Sequence, residues 1–490
     1  MNLCMVLAVI ALVPQPQKLV EKNGETTSCK VTKLTDAKIA PEGYRLKTSP
    51  EGVTIWSSDA AGAFYAEETL KQLKFTGTNG VDCLPLVEIE DAPCFRWRGC
   101  HFDDCRHFFG KETLKRTLEL MAQHKLNVLH WHLTEDQGWR LDIPGHPELV
   151  KYGAVRPQSV RRGCNAWTGD LEDRDKFNGE KYGPFFYTEA DVKEILAYAA
   201  ERHIKVVPEI ELPGHVQSVL AAYPELACKP ENVAERVPRI TWGISDEVLC
   251  LGNDRSIRLF EEILDYVCRL FPSEIVHIGG DECPPDRWKS CPKCQARIKS
   301  EGLKDEHDLQ PWVTRHFVKF LAQRGKRALG WDEYLLGDVP TSAIGMRWRV
   351  GNDCGAGHRS LSSKEIVERG YDLVLTPLSH CYLDYGQGLK EDPFQYIGGC
   401  ITLEQAYSLD LYAEVPENLR AHVLGGQGNN WSEYTWNADD LAWKMWPRMC
   451  ALAEVFWTGE QRPGFADFKS RMRVHRRRLI DQHVNCAPLE

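Results

Sequence analysis

No apolar run in this 490-residue sequence is long enough to cross a bilayer as a helix. The run nearest that length, Leu3 to Val13, is far too short, which excludes a helix-spanning membrane protein. No Lys or Arg precedes that run and no clear small-residue cleavage site follows it, so it reads equally as the core of an export signal or as a first buried strand. Export to the periplasm or medium and residence in the cytoplasm therefore stand as even alternatives. Basic blocks are absent too, except for RMRVHRRR at 471–478. With a formal charge of −10, that makes nucleic acid an unsuitable partner, and the basic run is expected on the exposed face of a last helix.

Cysteine and tryptophan, in contrast, are plentiful. The 18 Cys are scattered, and several (Cys100, Cys250, Cys268, Cys450) lie in apolar surroundings where a thiol behaves as a small hydrophobe. Several of the 15 Trp stand in polar, Gly-flanked contexts: Trp139, Trp331, Trp348 and Trp431. Such rings suit a concave sugar site, where an indole covers the apolar face of a pyranose and polar groups meet its hydroxyls.

Between Val13 and Pro93 the pattern is of short strands (VTKLTD, GYRLKTS, VTIWSS) and one helix, Ala60 to Leu73. This predicts a small α+β domain over residues 1–93, closed by the turn-rich EIEDAPCF. Eight strand candidates follow in the remaining 94–490: 96–104, 126–133, 204–210, 274–280, 327–332, 343–349, 372–377 and 422–431. Helical stretches separate them, two opened by capping boxes at Thr188/Asp191 and Ser362/Glu365. Eight strands alternating with helices predict a (β/α)8 TIM barrel, whose active site is built at the C-terminal strand ends. Asp103, Asp104, His130, His132, Glu209, Glu211, Asp281, Glu282, Asp332, Glu333, Trp348, Trp431 and Glu433 all fall at or just beyond such ends.

HIGGDE, 277–282, is the most informative stretch: two glycines permit a tight turn that presents two adjacent carboxylates at the barrel mouth. Two carboxylates in a Trp-rich pocket suit glycoside hydrolysis. The stretches WRGCHFDDCRHF (97–108), LHWHLTEDQGWRLDI (129–143), PEIELPGH (208–215), HIGGDE, GWDE (330–333), MRWR (346–349), CYLDY (381–385) and NNWSE (429–433) occur in order along the whole barrel. With them the chain resembles the β-N-acetylhexosaminidases of glycoside hydrolase family 20, in their bacterial form. The small first domain resembles that family's usual first domain.

The resemblance implies substrate-assisted hydrolysis, in which the 2-acetamido oxygen of the sugar attacks its own anomeric carbon and no cofactor is needed. It implies Glu282 as general acid and later base, Asp281 as partner of the oxazolinium ion, and His215 with Asp136 as a relay behind the acid. It further implies Trp331, Trp348 and Trp431 as walls around the acetamido group, and Tyr382 as the donor to its oxygen. Arg98, Asp384 and Glu433 are implied to grip the hydroxyls of a terminal N-acetylhexosamine, GlcNAc or GalNAc, on a glycan. A closed grip of this kind implies exo action. A relative that releases a disaccharide, or a silent glycan-binding protein, are the other readings; an intact Asp281 and Glu282 argue against silence.

Two motifs fall outside that scheme. Cys283, Cys291 and Cys294 (ECPPDRWKSCPKC) follow the carboxylate pair, and CPKC has the spacing of zinc ribbons and redox pairs. A second CxxC is missing, so structural thiols or a disulfide are expected, with a structural metal completed by a distant fourth ligand as the alternative. HWH, 130–132, puts two imidazoles on one strand face, but no third ligand stands at a telling spacing, and it is read as ordinary barrel strand. NWS, 430–432, is a formal glycosylation sequon overlapping a pocket Trp.

Overall fold

The computed structural model describes residues 10–77, 80–167, 170–351 and 360–489. The first unit is a six-stranded sheet formed by β1 (Lys18–Thr26), β2 (Val31–Thr35), β3 (Tyr44–Ser49), β4 (Gly52–Ser57), β5 (Phe75–Thr76) and β6 (Asp82–Asp91), with helix α1 (Ala60–Leu73) between β4 and β5. Its order is β1-β6-β3-β4-β2, with β5 on β6. Strand β3 alternates cleanly: Tyr44, Leu46 and Thr48 are buried and Arg45 and Lys47 exposed. Those side chains pack with Val53, Ile55, Tyr65 of α1, Val87 and Ile89 into one core, which Trp457 enters from the far end of the chain.

The second unit alternates strands and helices: β7 (Trp97–Asp103), α2 (Gly110–Gln123), β8 (Val128–His132), the hairpin β9 (Thr134–Glu135) and β10 (Gly138–Trp139), α3 (Glu189–Ala200) and β11 (Lys205–Glu209). Then come α4 (Gln217–Ala222), α5 (Asp254–Leu270), β12 (Ile275–His277), α6 (Asp286–Ser290), α7 (Pro292–Glu301), α8 (Leu309–Ala322), β13 (Arg327–Trp331) and β14 (Ile344–Arg347). The chain ends with α9 (Ser363–Glu368), β15 (Asp372–Leu375), α10 (Leu378–Cys381), α11 (Leu403–Tyr407), β16 (Val423–Gly428), α12 (Ala438–Met445), α13 (Arg448–Thr458) and α14 (Phe465–Asp481). Strands β7, β8 and β11 to β16 close into a parallel barrel, each neighbour in register with the next. The eight strands expected from the sequence are the eight of the barrel, so the fold is a TIM barrel preceded by a small α+β domain. Both capping boxes are formed, Thr188 with Asp191 on α3 and Ser362 with Glu365 on α9.

Several expectations need correction. The stretch EIEDAPCF is strand up to Asp91, the last residue of β6, and the turn begins only after it. Of the run Leu3–Val13, residues 3–9 lie outside the described residues; residues 10–13 belong to no strand, and Ala11, Leu12 and Val13 are buried. The basic run of α14 is only half a solvated face. Arg471 is buried in an ion pair with Glu454, Arg478 donates to the Ala11 carbonyl and Arg476 to those of Cys486 and Ala487. That helix therefore fastens both described ends of the chain to the barrel.

Candidate active site

The loop after β12 has a conformation that few sequences could adopt. Gly279 and Gly280 have φ of 62° and 99°, and a Cβ on Gly279 would lie 1.7 Å from Glu211 Oε2. Glu282 follows at φ 46°, an uncommon left-handed geometry for a side-chain-bearing residue of the kind found at functional sites. Its amide donates to Glu333 Oε1 at 3.3 Å, and Gln310 Nε2 donates to the Gly280 carbonyl at 2.5 Å, so the turn is held from the segment just after β13 and from α8. The result points Asp281 and Glu282 into one pocket. Burial pushes the Asp281 carboxyl up to about 7, with the nearby Glu333 and Glu282 charges adding to the effect.

Behind this pair runs a chain of alternating charge. His215 Nε2 lies 3.7 Å from both Asp281 Oδ2 and Glu282 Oε2, and its Nδ1 lies 2.7 Å from Glu135 Oε1 and 3.4 Å from Asp136 Oδ2. Glu135 is itself paired with Arg106 at 3.0 Å and with His132 at 3.2 Å. His132 reaches Glu209, whose two oxygens also meet His130 at 3.0 Å, His277 at 2.8 Å and the Trp331 indole N–H at 2.8 Å. Burial opposes a charge on His215, but Glu135 and then Asp281 outweigh it and hold its pKa well above the ordinary value. Burial likewise opposes the Glu209 carboxylate, yet the surrounding imidazoles, His277 foremost, hold its pKa well below the usual range. His215 thus faces two acids with its basicity raised by the carboxylates around it.

The pocket itself has a volume of about 510 Å³, the size of a small-ligand site. Trp331, Trp348, Trp431 and Tyr382 give it aromatic walls, and Arg106, Asp384 and Glu433 line it as charged groups. Trp348 and Tyr382 are stacked at 20° with centroids 6.0 Å apart, and the Trp348 N–H donates to Glu333 Oε2 at 3.1 Å. Both oxygens of Asp384 and Oε2 of Glu433 are buried without a hydrogen-bond partner among the described residues. Burial pushes Asp384 up to about 7, with Glu433 adding to it; it also raises Glu433, against the pull of Arg106. Buried, unpartnered carboxylates beside indole faces are fit to accept hydrogen bonds from a polyol.

Of the residues singled out in the sequence, the pocket collects His215, Asp281, Glu282, Trp331, Trp348, Tyr382, Asp384, Trp431 and Glu433. Asp136 stands behind the pocket, beside His215, and also accepts from the Gln217 amide at 2.9 Å. Arg98 is a correction. It is the second residue of strand β7, at the opposite end of the barrel, fully buried, donating to the carbonyls of Lys125 and Phe95 and paired with Glu42 at 2.9 Å. The pocket arginine is Arg106, in the loop beyond β7, inside the same WRGCHFDDCRHF stretch. Position relative to the strand end was the available signal: only residues past Asp103 can reach the C-terminal face.

Trp139 is a second correction, since it is fully buried in the core with its N–H on the Leu141 carbonyl. HWH is a third. His130 and His132 do have further partners, but these come from other strands, His101, Glu209 and His277, which spacing along one strand cannot show. His101, His130 and Glu209 stand close enough to ligate an ion, and both Glu209 oxygens already accept hydrogen bonds, from His132 and Trp331. Cys283 packs against Gly214 and does not join Cys291 and Cys294, and no disulfide forms among the described residues. Sequence reasoning passed over Glu135 and Tyr385, although both lie inside quoted motifs (129–143 and 381–385), and the mouth residues Trp167, Ile244 and Ile397, which come from loops without a pattern of their own.

Comparison with known proteins gives one consistent result. The family profile "Glycosyl hydrolase family 20, catalytic domain" matches residues 95–460, and "Glycosyl hydrolase family 20, domain 2" matches residues 10–92. A beta-hexosaminidase of Porphyromonas gingivalis is 41% identical over 88% of this chain, which spans about half (52%) of that protein's length. One from Akkermansia muciniphila is 30% identical over 96% of this chain and 91% of its own. Among solved structures, a GH20 exo beta-N-acetylglucosaminidase from Vibrio harveyi in complex with N-acetylglucosamine superposes with a TM-score of 0.84 at 27% identity, covering 98% of this chain and 78% of that one. A beta-N-acetylhexosaminidase from Bacteroides fragilis superposes with a TM-score of 0.80 at 28% identity, covering 97% of each chain.

Proposed function

Because this chain belongs to glycosyl hydrolase family 20, an enzyme family, we propose that it is a retaining exo-β-N-acetylhexosaminidase acting on terminal GlcNAc or GalNAc through an oxazolinium intermediate. The observation that carries the proposal is the placement of Asp281 and Glu282 on one strained turn, in a small-ligand pocket walled by indoles, with His215 3.7 Å behind both.

The residues divide the work as follows. Glu282 gives its proton to the glycosidic oxygen as the acetamido oxygen attacks the anomeric carbon; the glycosidic bond breaks and the aglycone leaves as an alcohol. Asp281 faces the acetamido nitrogen and balances the positive charge that develops there, a stabilisation strengthened by exclusion of water. Glu282, now anionic, takes a proton from water, the water oxygen bonds the anomeric carbon, and the oxazolinium ring opens. Two inversions at one carbon leave the β configuration. The indoles of Trp331, Trp348 and Trp431 hold the acetamido group under the ring, Tyr382 donates to its oxygen, and Arg106, Asp384 and Glu433 bond the ring hydroxyls. Trp167, Ile244 and Ile397 form an apolar rim for the group beyond the scissile bond.

Proton NMR of an aryl β-N-acetylglucosaminide digest tests the mechanism. The first-formed free sugar is expected to be the β anomer, mutarotating later to the mixture. A first-formed α anomer would exclude any double displacement at this site.

A further inference from the structure

Outside the pocket, four cysteines from separate segments converge. Cys228 lies in the connection between β11 and α5, as does Cys250, while Cys291 is the N-cap of α7 and Cys294 lies in its first turn. Their Sγ atoms all lie within 4.8 Å of one another. The pairs Cys228–Cys294, Cys250–Cys291 and Cys250–Cys294 are each 3.7 Å apart. A disulfide would need about 2.05 Å and joins each sulfur to one partner only. Here Cys250 and Cys294 each have two partners at the same distance. Four sulfurs bound at about 2.3 Å to one tetrahedral ion stand about 3.8 Å apart along each edge; three of the six pairs have that spacing and the other three lie within 4.8 Å.

The backbone is shaped for this meeting. A Cβ on Gly252 would lie 2.1 Å from the Lys293 carbonyl carbon and 2.3 Å from the Cys294 amide nitrogen. Glycine there lets the turn bearing Cys250 close onto the start of α7. That helix N-terminus directs its partial positive charge at the sulfurs and favours the thiolate form that a metal requires. Cys250, Cys291 and Cys294 are buried and Cys228 half-buried, so the cluster is enclosed by protein.

We propose that Cys228, Cys250, Cys291 and Cys294 form a structural zinc site, the four thiols losing their protons as one Zn²⁺ binds. Soft sulfur donors in a tetrahedron select zinc, and four protein ligands leave no open position for substrate or water. The ion joins the β11–α5 connection, which carries His215, to the segment following Asp281 and Glu282. It therefore braces the two loops whose separation sets the 3.7 Å spacing of His215 from the acids. This assignment stands apart from the glycosidase reading, since it is read out without any substrate.

Elemental analysis of the purified full chain is the test, together with the visible spectrum of protein produced in cobalt-supplemented medium. One zinc per chain is expected, and the cobalt form should show the intense ligand-field and thiolate charge-transfer bands of a tetrahedral tetrathiolate. Cys294→Ser should lose the zinc while Cys283→Ser keeps it; if Cys294→Ser does not fold, the cobalt spectrum of the unaltered chain decides. The proposal is overturned by substoichiometric zinc with all four cysteines open to alkylation, by an intact mass lighter by the hydrogens of two disulfides, or by iron in place of zinc.

Discussion

Two arginines close in sequence do unrelated jobs, and the distinction is measurable one residue at a time. Arg106 lines the pocket and pairs with Glu135, so Arg106→Ala should lower kcat/KM by about a hundredfold, the loss of one charge-assisted contact of roughly 3 kcal/mol. Asp384 makes a pH prediction. Burial raises its folded-state pKa to about 7, above the unfolded value, so the fold carries no penalty where both states are protonated and a growing one as pH rises toward 7. Asp384→Asn should therefore raise Tm relative to the parent at pH 8 and leave it nearly unchanged at about pH 3, with an upper bound on the order of 4 kcal/mol. It should also raise KM. Equal Tm differences at both pH values would contradict the assignment. The placement of these residues at the pocket was legible in the sequence where the motif lies beyond a strand end, as with HIGGDE and NNWSE. The reading misplaced Arg98 because a motif letter carries no information on which end of the strand its side chain serves.

At the scale of elements, the turn after β12 and the helix starts offer the sharpest tests. Gly279 has both a positive φ and no room for a Cβ, so Gly279→Ala must displace Glu211 or the turn itself. A fall in kcat of at least tenfold with native far-UV circular dichroism is expected; unchanged kcat would mean that the turn geometry does not set the acids. In contrast, Thr188→Ala removes a capping box remote from the pocket and should cost about 1 kcal/mol in urea unfolding with kcat unchanged. Both boxes were readable because capping is local chemistry within four residues. Strand β1 was not, since it is a nearly all-exposed edge strand of Lys and Glu that owes its conformation to pairing with β6. β6 was hidden in turn by Pro85 inside it and by a turn-like ending.

Over the whole molecule, what the sequence could not show is convergence. Glu135, His132, Glu209 and His277 come from different strands and loops, and only barrel closure makes them one charge chain beneath the pocket. The joint between the two units is equally non-local. Arg98 pairs with Glu42 and lies 5.0 Å over Trp457, while Lys125 pairs with the buried Asp91 at 2.7 Å. Arg98→Met strands buried acceptors at that joint and should destabilise the fold by about 3 kcal/mol while leaving KM unaltered, the reverse of Arg106→Ala.

The central claim is that the sugar's own acetamido group is the nucleophile, and one comparison tests it most directly. Turnover of aryl β-N-acetylglucosaminide and β-N-acetylgalactosaminide should be measured beside the aryl β-glucoside that lacks the acetamido group. The account predicts hydrolysis of the acetamido sugars alone, abolished by Glu282→Gln and strongly slowed by Asp281→Asn. Equal turnover of the plain glucoside would contradict it.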